Sequence, residues 1–486
     1  MKHPRVTGPW SLPGRAPNTR LMRAEFASKR QSSSQYLSSR GPVRFLSSRG
    51  QLLSLIAVTT LAFSAPSHAF DLLQAYRLAQ ANDSQLAAAK AQLEAAREKV
   101  PQAQAALLPS VNTTGTLSRR FEDVDRPTGD LNTQYTLQNY NVQLTYPLYR
   151  LQNVETLEQS RVQAQVGETQ FAQAGQDLML RLAQAYFDVL VSQDNLTTIQ
   201  AQKRAITEQL AAAKRNFEVG TATVTDQQEA QARFDLAVAQ ELAANNDVEV
   251  KRAALSQLIG RPIGVLNVLR PGVQLQSPEP SRELDWTGAA RDSNYAVQLA
   301  RLNAEIARRE IEKQRLSTNF NVDLLSSGAH SRNAAFNSIN VFSTTAAVGI
   351  QVTKPLYTGG GAESRVREAL ASHQKSISDL ESARRTAELA ARQAFFGVNS
   401  GLAQIRALEA AEKSSQLALD SNLLGYQVGV RINIDVLNAQ QQLFTTRRDL
   451  SRARYDALIN GLRLKTTTGS LKEEDLGTVN ALLVAP

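Results

Sequence analysis

The sequence contains no cysteine among its 486 residues. Without cysteine the chain can form no disulfide, bind no metal through a thiolate, use no cysteine-based catalysis and carry no lipid on an N-terminal cysteine. The absence is compatible with an oxidising compartment. Four classes of site are therefore excluded before any motif is considered.

Long hydrophobic runs are missing after residue 69. No later segment approaches the roughly 18 uninterrupted apolar residues of a membrane-spanning helix. Any crossing of a membrane must then use β-strands, because only helices and closed sheets satisfy every backbone polar group in lipid.

Positive charge is scarce once the first 69 residues are set aside. That segment holds ten Lys or Arg against the single acid Glu25, out of 54 basic and 45 acidic residues in the chain. The remainder therefore carries 44 of each, and the formal charge of +9 belongs to the leader. Nothing in the charge distribution favours binding of nucleic acid.

The leader, residues 1–69, ends in a secretory signal. An apolar run from Leu52 to Phe63 follows two arginines and precedes Ser67-His68-Ala69, whose small residues suit a cleavage site. The mature chain is expected to begin at Phe70. A buried core helix is the alternative for the run, and residues 1–45 receive no function.

Catalytic and metal-binding constellations are also lacking. His330 and His373 are the only histidines after the leader, and they fall in unlike settings. The run Gly359-Gly360-Gly361 is followed by no Lys and does not fit a phosphate-binding loop. The sequence predicts no enzyme, no cofactor and no metal site.

What the sequence does contain is an internal duplication with an offset of about 209 residues. Ala185-Tyr186-Phe187 answers Ala394-Phe395-Phe396, and Phe217-Glu218-Val219-Gly220 answers Tyr426-Gln427-Val428-Gly429. Pro147-Leu148-Tyr149 recurs as Pro355-Leu356-Tyr357, slipped by one residue. We therefore divide the mature chain into a first structural repeat, 70–278, and a second, 279–486.

Each repeat is predicted to contain a helix, two strands and two long antiparallel helices. Apolar residues alternate from Tyr140 to Leu148, which indicates a strand with one apolar face, and Val111 to Arg120 is its expected partner. The segments Gln152–Val219 and Glu363–Val428 predict rods about 100 Å long. Glycines 220 and 429 should end them, with Val224–Ile259 and Ile434–Thr467 running back.

Four strands per chain are too few to close a barrel, and exposed sheet edges cannot survive in lipid. Strands from several chains must then be pooled. Three chains would supply twelve strands and twelve helical segments around one axis, so the pattern predicts a homo-oligomeric tube.

The mature chain resembles the TolC family of outer-membrane secretion and efflux channels. The similarity rests on the Pro-Leu-Tyr-Thr-Gly-Gly-Gly turn at 355–361, the two Val-Gly breaks, the stretch from Gly425 to Arg431 leading to Asp435-Val436-Leu437, and the tail from Thr468 to Leu476. Each motif is weak alone, but together they keep register with the duplication.

The resemblance implies an α+β membrane protein: a homotrimer whose twelve-stranded outer-membrane β-barrel, four strands per chain, continues into a long α-helical coiled-coil barrel in the periplasm. It implies a passive exit duct that contacts outer-membrane lipid and works with a periplasmic adaptor and an inner-membrane ABC or RND transporter. Type I protein secretion is favoured slightly over drug efflux, because the lipid-anchored efflux branch needs a cysteine.

The resemblance also implies a periplasmic gate at the helix breaks. The residues that match the family's gate, and whose side chains could hold the helices closed, are Gln209, Thr225, Asp226, Tyr426, Arg431, Asp435 and Asn438. In a three-fold tube Asp435 would form a ring of three carboxylates. The family often has a second acid where this chain has Asn438, so the expected negative charge of the ring is halved. The adaptor is expected to dock at Val219, Gly220, Val428 and Gly429. Ordinary helix caps and terminators are the alternative for all of these positions.

A second class of function shares the long helices. A periplasmic coiled-coil adaptor or scaffold of an export system would need rods of this kind but no alternating strands. The alternation from Tyr140 to Leu148 therefore favours the channel.

Overall fold

The computed structural model describes residues 70–125, 127, 129, 131–334 and 340–485. The predicted leader with its signal peptide, 1–69, and three residues of the loop expected from Asp125 to Asp130 lie outside this part of the chain. The described part is dominated by four long helices and one sheet.

The first repeat follows the predicted order of elements. Its secondary structure, in chain order, is α1 (Leu72–Asn82), α2 (Ser84–Arg97), α3 (Lys99–Ala105), β1 (Ser110–Val124), β2 (Leu131–Tyr149), α4 (Leu151–Glu218), α5 (Val224–Ile259) and β3 (Val268–Leu269). The second repeat contains α6 (Glu283–Ser293), α7 (Tyr295–Arg315), β4 (Asn321–Ala334), β5 (Asn340–Thr353), α8 (Gly361–Gln427), α9 (Asn433–Thr467), α10 (Glu473–Asn480) and β6 (Leu483–Val484). The predicted rods and their return helices are confirmed to within about two residues.

The opening segment is helical, as predicted, but it forms three helices rather than one. The Asp83 side chain accepts a hydrogen bond from the backbone N–H of Leu86 at 2.7 Å, which caps α2 and ends α1. An aspartate in this role satisfies one of the orphan donors of a new helix. Composition alone favours helix throughout and does not indicate this break.

One antiparallel sheet joins the two repeats. Its strand order is β1-β2-β4-β5, so β2 pairs with β4 across the repeats, while β1 and β5 form the two edges. Tyr140 lies opposite Gly115 and His330, and Leu324 lies opposite Ile350. The register places most of the large apolar residues of β1, β2 and β5 on one face, whereas β4 is mixed, with Leu324 on that face and Leu325 on the other.

A compact core surrounds the middle of the rods. Tyr186 and Phe187 of α4 are fully buried there against α1 and α9. The Tyr186 hydroxyl donates to the carbonyl oxygens of Phe70 and Asn267, at 2.9 and 3.0 Å. No helix in the described ranges is long and apolar enough to span a membrane.

Candidate functional site: the helix tips and the sheet edges

Both rods end in the same backbone motif. Gly220 and Gly429 each have a φ of 80°, a left-handed conformation that glycine adopts without strain. The backbone N–H of Gly220 donates to Phe217 and that of Thr221 to Asn216, while Gly429 donates to Tyr426 and Val430 to Gly425. This pair of hydrogen bonds satisfies the last carbonyls of a helix and reverses the chain.

The return helices begin differently. Thr223 and Asp226 form a reciprocal capping box at the start of α5, with Asp226 Oδ2 accepting from the Thr223 N–H at 2.9 Å. Thr225 is exposed beside them. At the start of α9 Ile432 offers no side-chain cap, and Asp435 lies 3.7 Å from Arg431 instead. Asp226 therefore has a structural role in the cap, whatever its role in a gate.

Several predicted gate residues connect the two helix pairs within one chain. Gln209 is buried and donates to the side chain of Asn433. The Tyr426 hydroxyl accepts from Asn216 at 3.1 Å, and Asn438 accepts from Arg233 at 3.2 Å. The first helical hairpin, α4 with α5, is thus hydrogen-bonded to the second, α8 with α9, near the tips.

Three residues in these contacts were not anticipated from the sequence: Asn216, Arg233 and Asn433. Asn433 also donates from its amide to the Asp226 carbonyl at 3.4 Å and is almost completely buried. Buried amides are nearly always hydrogen-bonded, so a polar residue in the apolar stretch between Ile432 and Ile434 was the available signal. The other two carry no such signal.

The Arg431 side chain packs against Gly425, where any larger residue would collide with it. A Cβ on Gly425 would come within 2.7 Å of the Arg431 Cγ. The side chain therefore packs over the last turn of α8 and reaches towards Asp435. In the first hairpin the matching positions are Asn216 and Ala222, so this arrangement belongs to the second hairpin alone.

The extreme tips are apolar and exposed. Val219 and Val428, the two predicted adaptor contacts beside the glycines, are 72% and 65% exposed. Val430 and Ile432 extend this surface on the second hairpin. Apolar residues clustered at an exposed tip are typical of a protein contact.

Higher up the rods, a ladder of polar contacts joins α4 to the second repeat at intervals of seven or eight residues. Asp194 accepts from the Ser451 hydroxyl at 2.5 Å and from Tyr455 at 3.4 Å, and Gln202 donates to Gln441 at 2.7 Å. The pairs Gln209–Asn433 and Asn216–Tyr426 continue it towards the tip. Burial raises the pKa of Asp194, and hydrogen bonds from Ser451 and Tyr455 offset part of that rise.

At the other end of α4, the first repeat is tied to the second where the sheet passes into the rods. Arg150 makes a two-pronged ion pair with Asp323, at 2.7 and 2.6 Å. Tyr149 stacks on Phe320 with ring centres 4.8 Å apart. At the matching turn of the second repeat, Leu356 and Tyr357 are 90% and 89% exposed.

The described residues do not bring candidate metal ligands together. They contain no group of three or more His, Asp or Glu side chains that could hold a metal ion. His330 Nδ1 lies 2.9 Å from the Thr344 hydroxyl on the sheet, whereas His373 lies on α8. The two histidines therefore do not contribute to one site.

The fold is shared with a solved outer-membrane protein. The crystal structure of the outer membrane protein VceC from Vibrio cholerae superposes with a TM-score of 0.68, covering 82% of this chain and 96% of VceC at 19% identity. Such a likeness establishes the architecture, and the sequence comparisons establish the family.

The chain belongs to the outer membrane efflux protein family, whose model matches residues 75–261 and again 286–470. It is 31% identical to the outer membrane protein TolC of Vibrio cholerae, over 89% of this chain and 98% of TolC. It is also 31% identical to the alkaline protease secretion protein AprF of Pseudomonas aeruginosa, over 89% and 91%. The predicted TolC-family membership is confirmed, and the chain is an outer-membrane export channel protein rather than a periplasmic adaptor.

Proposed function

We propose that three copies of the chain close one twelve-stranded barrel in the outer membrane and one helical tube in the periplasm. The duct passively conducts its substrate outward. It receives that substrate from an inner-membrane ABC or RND transporter through a periplasmic adaptor. The observation that carries the proposal is the open sheet, because its two unpaired edges and its exposed apolar face are both costly in a lone chain.

The internal repeat supplies a register for closing the barrel. In the sheet, β2 pairs with β4, and the positions related to these strands by duplication lie on β5 and β1. Transferring the β2–β4 register places Ile350 opposite Leu117 of the partner subunit. Both residues lie on the apolar face, as continuous pairing requires, whereas a slip of one residue would put them on opposite faces.

Cysteine pairs test this closure cleanly, because the chain has no cysteine of its own. Leu117→Cys with Ile350→Cys should give a ladder of disulfide-linked dimers and trimers in isolated outer membranes. Directly opposed residues lie about 4.5–5.5 Å apart between Cα atoms, within disulfide range. Ser118→Cys with Ile350→Cys is the matched control, and equal cross-linking in both would refute the register.

Conductance tests the duct itself. The detergent-purified mature protein should give discrete openings in a planar bilayer and the mass of a trimer. Val142→Arg with Leu144→Arg should prevent membrane assembly, because a charge on the lipid face costs roughly 2–4 kcal/mol at mid-membrane. A silent protein that salt removes from membranes would refute the channel.

The tip is the proposed gate. Gln209, Thr225, Asp226, Tyr426, Arg431, Asp435 and Asn438 are the side chains proposed to hold it. Support comes from Gln209, Tyr426 and Asn438, which bond the two hairpins, and from Arg431 beside Asp435.

Tyr426→Phe with Arg431→Ser should raise single-channel conductance; an unchanged value would remove the assignment.

The adaptor is proposed to dock at Val219, Gly220, Val428 and Gly429, where apolar side chains flank the exposed turns.

Type I protein secretion is the preferred class of export. Two relatives support it by name, the alkaline protease secretion protein AprF and the proteases secretion protein PrtF of Dickeya chrysanthemi. The boundaries 1–69, 70–278 and 279–486 are proposed with it, and the two family matches, one inside each repeat, support them.

A further inference from the structure

The polar ladder between α4 and the second repeat has a counterpart with the opposite chemistry. On α4 the ladder positions are Asp194, Gln202, Gln209 and Asn216. The positions 209 residues later, on α8, are Ala403, Ala411, Ala418 and Gly425. Every hydrogen-bonding side chain of the ladder is therefore replaced by alanine or glycine.

The facing side of the ladder changes in the same way. Its members in the second repeat are Ser451, Gln441, Asn433 and Tyr426, and the positions 209 residues earlier are Leu242, Ala232, Val224 and Phe217. Leu242, Val224 and Phe217 are 68%, 55% and 43% exposed, although they are large and apolar. Within the described chain these three apolar side chains therefore remain largely uncovered.

We infer that these two faces dock on each other between neighbouring subunits. The inference rests on the proposed trimer, in which α8 of one chain meets α5 of the next as α4 meets α9 within a chain. Size complementarity supports it, since Leu242 would meet Ala403 of the partner subunit, Val224 would meet Ala418 of the partner subunit, and Phe217 would meet Gly425 of the partner subunit. Large side chains against small ones are how neighbouring helices interlock.

The two seams of the tube then differ in kind. The seam within each chain is held by directional hydrogen bonds between buried and half-buried groups, and such bonds lose energy steeply when displaced. The seam between chains is held along this stretch by apolar contact, which is non-directional and tolerates sliding. The positions 209 residues from the Arg233–Asn438 pair are Gln442 and Glu229, so the seam between chains is polar again at that level. Relative movement of the helices should therefore meet less directional resistance at the seam between chains than at the hydrogen-bonded seam within a chain, and a polar pair introduced between chains should oppose opening.

A matched pair of charges tests the contact. Leu242→Asp should place an unpaired carboxylate in the seam and lower the trimer's tolerance to dilution in detergent by at least about tenfold. Leu236→Asp is the control, because Leu236 is also an exposed leucine of α5 but lies about a third of a turn away. Leu242→Ser with Ala403→Asp should restore the trimer, since it copies the Ser451–Asp194 pair at the subunit seam.

A second arm tests opening. Ala418→Gln with Val224→Asn copies the Gln209–Asn433 pair between chains and should lower the open probability in planar bilayers. If Leu236→Asp weakens the trimer as much as Leu242→Asp, or if the copied pairs neither restore the trimer nor reduce opening, the inference is overturned. A wild-type protein that forms no trimer would instead overturn the proposed function.

Discussion

At the end of β2, Tyr149 and Arg150 enter α4 packed against β4 of the same chain, whereas at the end of β5, Leu356 and Tyr357 enter α8 almost fully exposed. The two turns share the sequence Pro-Leu-Tyr and the same place in their repeats. In the first turn Leu148 and Tyr149 are only 49% and 37% exposed, so a duplicated turn that is partly covered in one copy and almost bare in the other indicates a missing neighbour. The first junction thus serves as a template for the contact that the second would make in the proposed trimer.

The largest effect on folding is expected at the covered junction. Arg150→Ala would leave Asp323, which is buried, without its ion-pair partner. We expect a loss of about 2–3 kcal/mol, because an uncompensated buried charge is costly. The measurement is the melting temperature of the purified protein, with Arg161→Ala as an exposed control whose loss should be negligible.

The bare junction should respond in assembly rather than in folding. Leu356→Ser with Tyr357→Ser removes two apolar side chains that only the proposed trimer would cover, each worth roughly 1.5–3 kcal/mol when buried. We expect less trimer by mass in detergent, with unchanged helix content by circular dichroism. A trimer of normal yield would mean that these side chains face lipid or water.

The tips differ in a further way, since Gly425 admits Arg431 and the first hairpin has no equivalent. Gly425→Ala should push Arg431 off the end of α8, because the new Cβ would lie 2.7 Å from its Cγ. We expect a higher single-channel conductance, smaller in effect than the double substitution at Tyr426 and Arg431. Gly175→Ala, a helical position with open space around it, should change nothing.

The smallest effect concerns the ladder inside the chain. Burial raises the pKa of Asp194, so the folded state holds its proton more tightly than the unfolded state. Its contribution to stability is therefore greatest below the ordinary pKa of 3.8 and falls as pH rises through the raised pKa. Asp194→Asn should remove this dependence and raise the melting temperature at neutral pH by a few degrees at most. A steeper dependence in the variant would contradict the assignment.

The sequence predicts the rods well because their signals are local. Glycines 220 and 429 adopt a conformation that few other residues tolerate, and the helices end within a residue or two of them. The strands are equally readable from their period of two. Each of these features is set by neighbours along the chain.

The pairing of β2 with β4 and the hydrogen bonds at the tips could not be predicted from local sequence patterns. Asp323 and Arg150 are 173 residues apart, and Gln209 and Asn433 are 224 apart. Whether a charged or amide side chain is buried depends on what folding brings beside it. The family resemblance pointed to Gln209, but that Asn433 is its hydrogen-bond partner is seen only in the folded chain.

The two rods contain 68 and 67 residues, and their return helices 36 and 35. At about 1.5 Å per residue both tips end at nearly the same height. A heptad inserted in one rod alone would leave its tip roughly 10 Å beyond the other and break the ladder between them. Because each rod is paired with an antiparallel return helix, moving both tips by the same distance requires matched insertions in all four long helices, α4, α5, α8 and α9.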